Sequence, residues 1–278
     1  MGVAAGRQAF FGGGGVARPM LKLFTTFLRV NLQIALAYRV DTLVNILLNV
    51  MWLGWELLSL GIIFSNTEAL GGWGVWELIA LLGVFRLVNT LMAAVIWPAT
   101  ERFNTSVRDG SLDYLLLQPA NSLFQVSFAR TVVWRVWDLA LGLVLLVVGL
   151  NRSGYAPGLI ELVGFAALLA SGLLVIYSLW VVLVAATFWF TKFDNNVTIL
   201  QALLDTGRYP ATIYPPWLRM IVTFLIPIAL ATTVPLQALR GDLVIWQVLL
   251  FLAVGVAAFL LAYRVWRAGV RRYSGASS

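Results

Sequence analysis

The chain contains neither cysteine nor histidine in its 278 residues, and only 11% of them are charged. Without cysteine there are no disulfides, thiol nucleophiles or thiolate metal sites; without histidine the commonest acid–base group and the usual zinc and haem ligands are gone. The remaining carboxylates are not paired in a way that points to catalysis, so the chain is not expected to be an enzyme by itself. A phosphate-binding loop is missing too. Gly12 to Gly15 form a glycine run, but no Gly-Lys-Ser/Thr follows. Any ATP used must therefore be bound by another chain, and no cofactor is expected on this one.

What is abundant is apolar surface. Hydrophobic residues make up 61% of the chain and the mean hydropathy is +0.90, which excludes a soluble globule and indicates an all-α integral membrane protein. The formal charge of +7 does not call for a nucleic-acid partner, because basic residues of membrane proteins gather at cytoplasmic edges.

Residues 1–19 are Gly-rich and lack a signal-peptide h-region. They read as a disordered tail, or as an overlong start ahead of Met20. From Met20 to Arg39, Lys22, Thr26, Arg29 and Gln33 recur at helical spacing, the pattern of an amphipathic helix lying along the membrane interface; an irregular first span is the alternative. The spans follow at about 42–64, 75–98, 127–150 and 159–190, with a last one at 243–264 and a short tail from 271 to 278. Asn45, Asn49, Trp52 and Glu56 share one face of the first span, and that face should meet protein or water. Counted from the turn at 65–74, Glu56 and Arg86 lie at similar depth on antiparallel neighbours and are expected to pair.

Between the second and third spans runs TERFNTSVRDGSLDYLLLQPANSLF, residues 100–124, with Glu101, Arg102, Arg108, Asp109 and Asp113 in it. Such charge stays outside lipid. Asn104 or Ser106 can cap a short helix here, Gly110 breaks it, and Pro119 ends the run. Further on, Asp194, Thr198, Gln201, Asp205 and Arg208 recur at spacings of four, three, four and three, a helix with one polar stripe. Its apolar face suits either a cytoplasmic amphipathic helix or a further span. Pro227 and Pro235, after Pro210, Pro215 and Pro216, indicate discontinuous helices.

Arg108, Arg130, Lys192 and the C-terminal arginines fall on the side of the N-terminal basic helix, so both termini are expected to be cytoplasmic and the span count even. Two six-span arrangements satisfy this. In one, 191–216 is cytoplasmic and 217–239 crosses. In the other, 193–210 crosses and 213–240 is a re-entrant pair of half-helices. Three functions stay open on the residues alone: a permease driven by another chain's ATPase, an ion- or proton-coupled carrier using Glu56, Arg86 and Asp205, and a membrane anchor for other subunits.

An amphipathic helix, two spans and then VRDGSLDYLLLQPAN resemble the permeases of type-2 ABC exporters, which carry a basic-x-Gly-x-Leu-Asp-x-Leu-Leu-x-x-Pro element at this place. GRYPATIYPPWLRMIVTFLIPIALATTVPLQALRG resembles their fifth-span exit and re-entrant segment. The resemblance covers roughly residues 20–270, a single transmembrane domain, and is in particular to a branch of bacterial permeases with largely undefined substrates. It implies a cytoplasmic coupling helix at 101–118 seated on an ABC ATPase subunit that binds ATP and magnesium, with Glu101, Arg102, Arg108, Asp109 and Asp113 giving charge complementarity and Tyr114 with Leu115 an apolar anchor. It implies pairing with a second copy or a paralogous permease among the lipids of the bacterial inner membrane. It favours the second arrangement, which puts Asp194, Thr198, Gln201, Asp205 and Arg208 on a crossing helix near the pathway or the dimer seam. The substrate stays undefined; the aromatic and apolar spans are compatible with an amphipathic or lipid-like molecule.

Overall fold

The computed structural model describes residues 39–112, 114, 122–128, 136–189, 196–225 and 228–272. The expected N-terminal tail and interfacial helix, and most of the tail after 271, lie outside the described residues. Regular structure among the described residues is helical, apart from one isolated bridge between Leu70 and Trp73. The chain divides into two compact units, residues 1–48 and 49–278. The first contributes the opening turns of α1, where Val40, Leu43, Val44, Leu47 and Leu48 are exposed.

The elements are α1 (Arg39–Phe64), α2 (Val75–Arg108), α3 (Ser122–Phe128), α4 (Val136–Arg152), α5 (Leu159–Ala186), α6 (Asn196–Asp205), α7 (Pro216–Met220), α8 (Thr233–Leu239) and α9 (Ile245–Arg272). Among the described residues four helices, α1, α2, α5 and α9, are long and apolar enough to cross a membrane. A fifth candidate is the bent pair Pro216–Thr223 and Ile228–Leu239, which turns by 65°. Of the expected third span, Ser122–Phe128 and the 17 residues of α4 are helical, and residues 129–135 lie outside the described residues.

The second span does not stop at Pro98. α2 runs unbroken for 34 residues through that proline to Arg108. Proline removes one N–H and crowds the preceding turn, but here the helix is held on both flanks. Ile96 and Ala99 are buried, and Thr100 donates to Ile96 O at 2.7 Å while accepting from Trp180 Nε1 of α5 at 2.7 Å. Asn104 and Ser106 therefore lie inside the helix and not at its start. Gly110 does end it, at φ +72°, a conformation only glycine adopts without strain.

Two ends of the bundle can be named by their contacts. At one, the turn between α1 and α2 carries Gly71, Trp73 and Glu77. At the other, Phe103 of α2 meets Phe188, just past α5, and Trp266 of α9, with ring centroids 5.8 and 6.0 Å away. Phe188 is thus at the Phe103 end, whereas Thr212 donates to Gly71 O at 2.9 Å. The chain between them, α6 included, runs from one end to the other. Residues 212–240 begin and finish at the Gly71 end, since Arg240 reaches Glu77. In between they descend alongside α5, where Gly172 takes Leu230 and Ala231 against its bare backbone and Gly164 faces Ala238.

Helices in lipid gain nothing from hiding apolar faces from each other, so close packing of small residues must hold them. α2 and α4 do this through Gly83, Gly142 and Gly149. A side chain on Gly83 would place its first carbon 2.5 Å from Leu146 N, and one on Gly149 would lie 2.5 Å from Ala80 N. Gly61 of α1, by contrast, has nothing within 4 Å. Gly83→Val is expected to destabilise the detergent-solubilised protein by roughly 1–3 kcal/mol, and Gly61→Ala to be neutral or slightly stabilising. Thermal unfolding checks both; equal effects would contradict the close α2–α4 approach.

Candidate functional site

Three groups of residues carry the charge and aromatic chemistry of this fold. The first lies where α1, α2 and the exit of α6 meet. Arg86 Nη2 donates to Glu56 Oε2 at 2.6 Å and Arg86 Nε to the same oxygen at 3.2 Å, with the two side chains 11% and 13% exposed. The other oxygen of Glu56 lies 3.7 Å from Arg208 Nη1. Arg208 reaches Asp205 Oδ1 at 3.6 Å, and Gln201 Nε2 donates to that oxygen at 3.2 Å. Two guanidinium groups thus share one carboxylate, and the polar stripe of α6 continues the chain of contacts. The Arg208 guanidinium also sits 5.4 Å from the Phe85 ring centre. A cavity of about 180 Å³ opens beside it, lined by Trp55, Ser59, Tyr209 and the two charged groups Glu56 and Arg208.

The periodicity of α6 explains this placement. Leu200 and Leu204 are buried on one face, while Thr198 and Asp205 are exposed on another. The 3₁₀ turn Thr206–Arg208 then swings Arg208 toward Glu56, and Gly207 permits it because a side chain there would meet Ile228 Cγ2 at 2.8 Å. Of the expected pathway residues, Gln201, Asp205 and Arg208 come together with Glu56 and Arg86. Thr198 is on the same helix outside the cluster, and Asp194 lies outside the described residues.

A second cluster, not expected from the sequence, clasps three turns at the Gly71 end. Glu77 accepts from Gly74 N at 2.8 Å and from the Tyr155 hydroxyl at 2.9 Å, and faces Arg240 Nη1 at 3.3 Å. Arg240 Nε is 2.9 Å from Asp242 Oδ2, and its guanidinium lies 4.6 Å from the Trp73 ring centre. The bond to Glu77, with burial adding to it, raises the Tyr155 phenol above its ordinary value, so it remains a proton donor. The one legible signal was Gly74-x-x-Glu77 ahead of an apolar helix, the spacing by which an acid returns to cap a helix start. Its remote partner Arg240 carries no such signal.

The third group is the stretch after Thr100. Residues 101–108 are the last two turns of α2, with no separate helix starting at 101. Phe103 and Ser106 face inward, whereas Glu101, Arg102, Thr105 and Asp109 are exposed. Tyr114 is 71% exposed and Leu112 fully buried, so Leu112 holds this turn to the protein's own core while Tyr114 projects. The backbone of Arg108 continues the helix; Asp113 and Leu115 lie outside the described residues. Beneath, the Phe103–Phe188–Trp266 cluster is tied to α3 by Trp266 Nε1 donating to Ser122 Oγ at 3.2 Å.

Removing Arg86 leaves Glu56 nearly buried with a single distant partner. Arg86→Ala is therefore expected to cost about 3 kcal/mol or more of stability. Arg208 is 38% exposed and its ion pairs are long, so Arg208→Ala should cost about 1 kcal/mol or less. Unfolding in detergent checks the difference, and equal losses would refute the unequal sharing of Glu56.

Residues 50–277, most of the chain, match the family described as ABC-2 family transporter protein. No curated protein and no solved structure matches it. The matched stretch includes both charged clusters, the exposed end of α2 and the candidate membrane helices α2, α5 and α9, with α1 entering it near its middle. The apolar helices make this a multi-pass membrane protein, and membership in this family implies an ATPase subunit as partner. The chain belongs to the ABC-2 transporter family and is a permease of an ABC transporter.

Proposed function

We propose that this chain is the membrane-spanning subunit of an exporter driven by a separate ATPase, and that α2 is the lever through which ATP binding reaches the membrane. The observation that carries the reading is the continuity of α2. One 34-residue helix holds the exposed charges Glu101 and Arg102 near one end and Arg86 about a third of the way from the other, and at 1.5 Å per residue it is about 50 Å long. A force applied at residues 101–115 by a docked ATPase tilts the whole rod, because Phe103 and Thr100 lock its end to α5 and α9. Glu101, Arg102, Arg108, Asp109 and Asp113 supply charge complementarity for that docking, with Tyr114 and Leu115 as the apolar anchor.

Within the membrane the motion is felt at Glu56. Its 2.6 Å bond to Arg86 keeps α1 with α2, so the 3.7 Å approach to Arg208 is the contact that yields. α6 and the segment after it then shift relative to α1 and α2, switching access to a pathway. Six crossings fit this scheme: α1, α2, α3 with α4, α5, the α6 segment and α9. The end-to-end course from Phe188 to Thr212 supports the α6 crossing, and the return of residues 212–240 to the Gly71 end supports a re-entrant segment. Both termini are then cytoplasmic, in a bacterial inner membrane. An ATPase dimer needs two such bundles, so the permease acts as a pair with a copy or paralogue, on an amphipathic or lipid-like substrate.

Co-expression with a candidate ABC ATPase subunit tests the coupling. Wild type is expected to co-purify with the ATPase and to stimulate its ATP turnover in vesicles. Asp113→Lys with Leu115→Glu should abolish both while leaving the permease folded. Unchanged assembly and turnover in that variant would sink the assignment.

A further inference from the structure

Four arginines at the Gly71 end or near it are engaged within the protein. Arg208 and Arg240 meet carboxylates, Arg152 lies 5.5 Å from the Trp76 ring centre, and Arg219 donates to the carbonyls of Ala211, Thr212 and Tyr214. The arginines that end α9 differ. Arg264, Arg267, Arg271 and Arg272 are exposed, and no carboxylate lies within ion-pair distance of them among the described residues. Arg267 instead rests 6.0 Å from the Tyr263 ring centre.

Tyr263 is also a wall of an apolar groove. This groove, of about 520 Å³, lies between α2, α3, α5 and α9 and is lined by Val95, Phe124, Ala170, Leu174, Phe259 and Tyr263 among others. Such a volume is in the range of small-molecule sites, roughly 300–1,000 Å³. Its lining is apolar but for two tyrosines, and the Tyr177 hydroxyl is taken up with Ser127 at 2.6 Å. Phe124 is 62% exposed and Ala170 is exposed, so the groove opens sideways at the depth of the membrane helices. Along α9, Phe259, Tyr263 and Arg267 follow at four-residue steps, with Phe259 and Tyr263 stacked at 6.4 Å. That sequence is apolar, then amphipathic, then cationic, each one helical turn apart.

We propose that this groove and Arg267 form a binding site for an anionic phospholipid, one acyl chain lying against Leu174 and Phe259 and the headgroup phosphate meeting the Arg267 guanidinium. The aromatic ring of Tyr263 marks the boundary between the two, where tyrosines sit at membrane interfaces. Arginine binds phosphate through paired N–H groups, and unpaired basic residues at a helix end attract anionic headgroups. The site goes beyond the transport reading and does not depend on an ATPase.

Native mass spectrometry of the delipidated protein, given equal amounts of palmitoyl-oleoyl phosphatidylglycerol and phosphatidylcholine, tests it. Wild type should retain phosphatidylglycerol about tenfold better. Arg267→Glu should abolish that preference, Arg267→Lys should keep most of it, and Arg264→Glu, which alters the same helix end away from Tyr263, should keep it. Ala170→Trp, which fills the groove from an exposed position, should lower retention of both lipids. Equal loss in Arg264→Glu and Arg267→Glu would reduce the site to diffuse basicity, and undiminished binding in Ala170→Trp would place the lipid elsewhere. Wild type that retains neither lipid, with Leu174→Cys in the same background unreactive to maleimide, would give the groove to another part of the chain. Any one of these three results overturns the proposal.

Discussion

Two guanidinium groups competing for one carboxylate hold the membrane part of this protein together. Hydrocarbon supplies no partner for a charge, so an ionised group at helix depth persists only where the protein provides its counter-ion. Glu56 provides it for Arg86 closely and for Arg208 at longer range, and in doing so joins the first helix, the second and the exit of α6. The arginines at the Gly71 end are likewise engaged within the fold. Arg208 meets Glu56 and Asp205, Arg240 meets Glu77 and Asp242, and Arg219 donates to backbone carbonyls near the prolines that interrupt the helix.

Rigidity around that junction comes from close packing. Gly83, Gly142 and Gly149 let α2 and α4 approach at backbone distance, while Phe103, Phe188 and Trp266 interlock three helices beneath the exposed stretch at 101–109. Between these two regions α2 has no break, even at Pro98. A helix fixed along its length and exposed at its end is suited to carry displacement. The contacts it would strain first are the long ones at Arg208.

Much of this was legible in the sequence where one element sufficed. Counting turns from the Ser65–Gly74 loop brought Glu56 level with Arg86, and the four-three spacing put Gln201, Asp205 and Arg208 on one stripe. The spacing could not say that Arg208 would turn toward Glu56, because a 3₁₀ turn and the bare Gly207 decide it. Pro98 suggested an end, but the helix continues past it, with Ile96, Ala99 and the Thr100–Trp180 bond packed on either side. Leu112 and Tyr114 sit in one run of similar residues, and only packing distinguishes the buried one from the projecting one. The Glu77–Arg240 clasp joins turns far apart in the chain, which no periodicity reports.

The account stands on motion at 101–115 being delivered to the Glu56–Arg208 contact. The absence of cysteine allows spin labels at Leu58→Cys on α1 and Ala202→Cys on α6, exposed positions outside the charged network. Pulsed electron paramagnetic resonance on the labelled permease–ATPase complex then reads the α1–α6 distance directly. ATP with vanadate is predicted to shift that distribution from its nucleotide-free position. A distribution identical in the two states, in a complex that hydrolyses ATP, would contradict it.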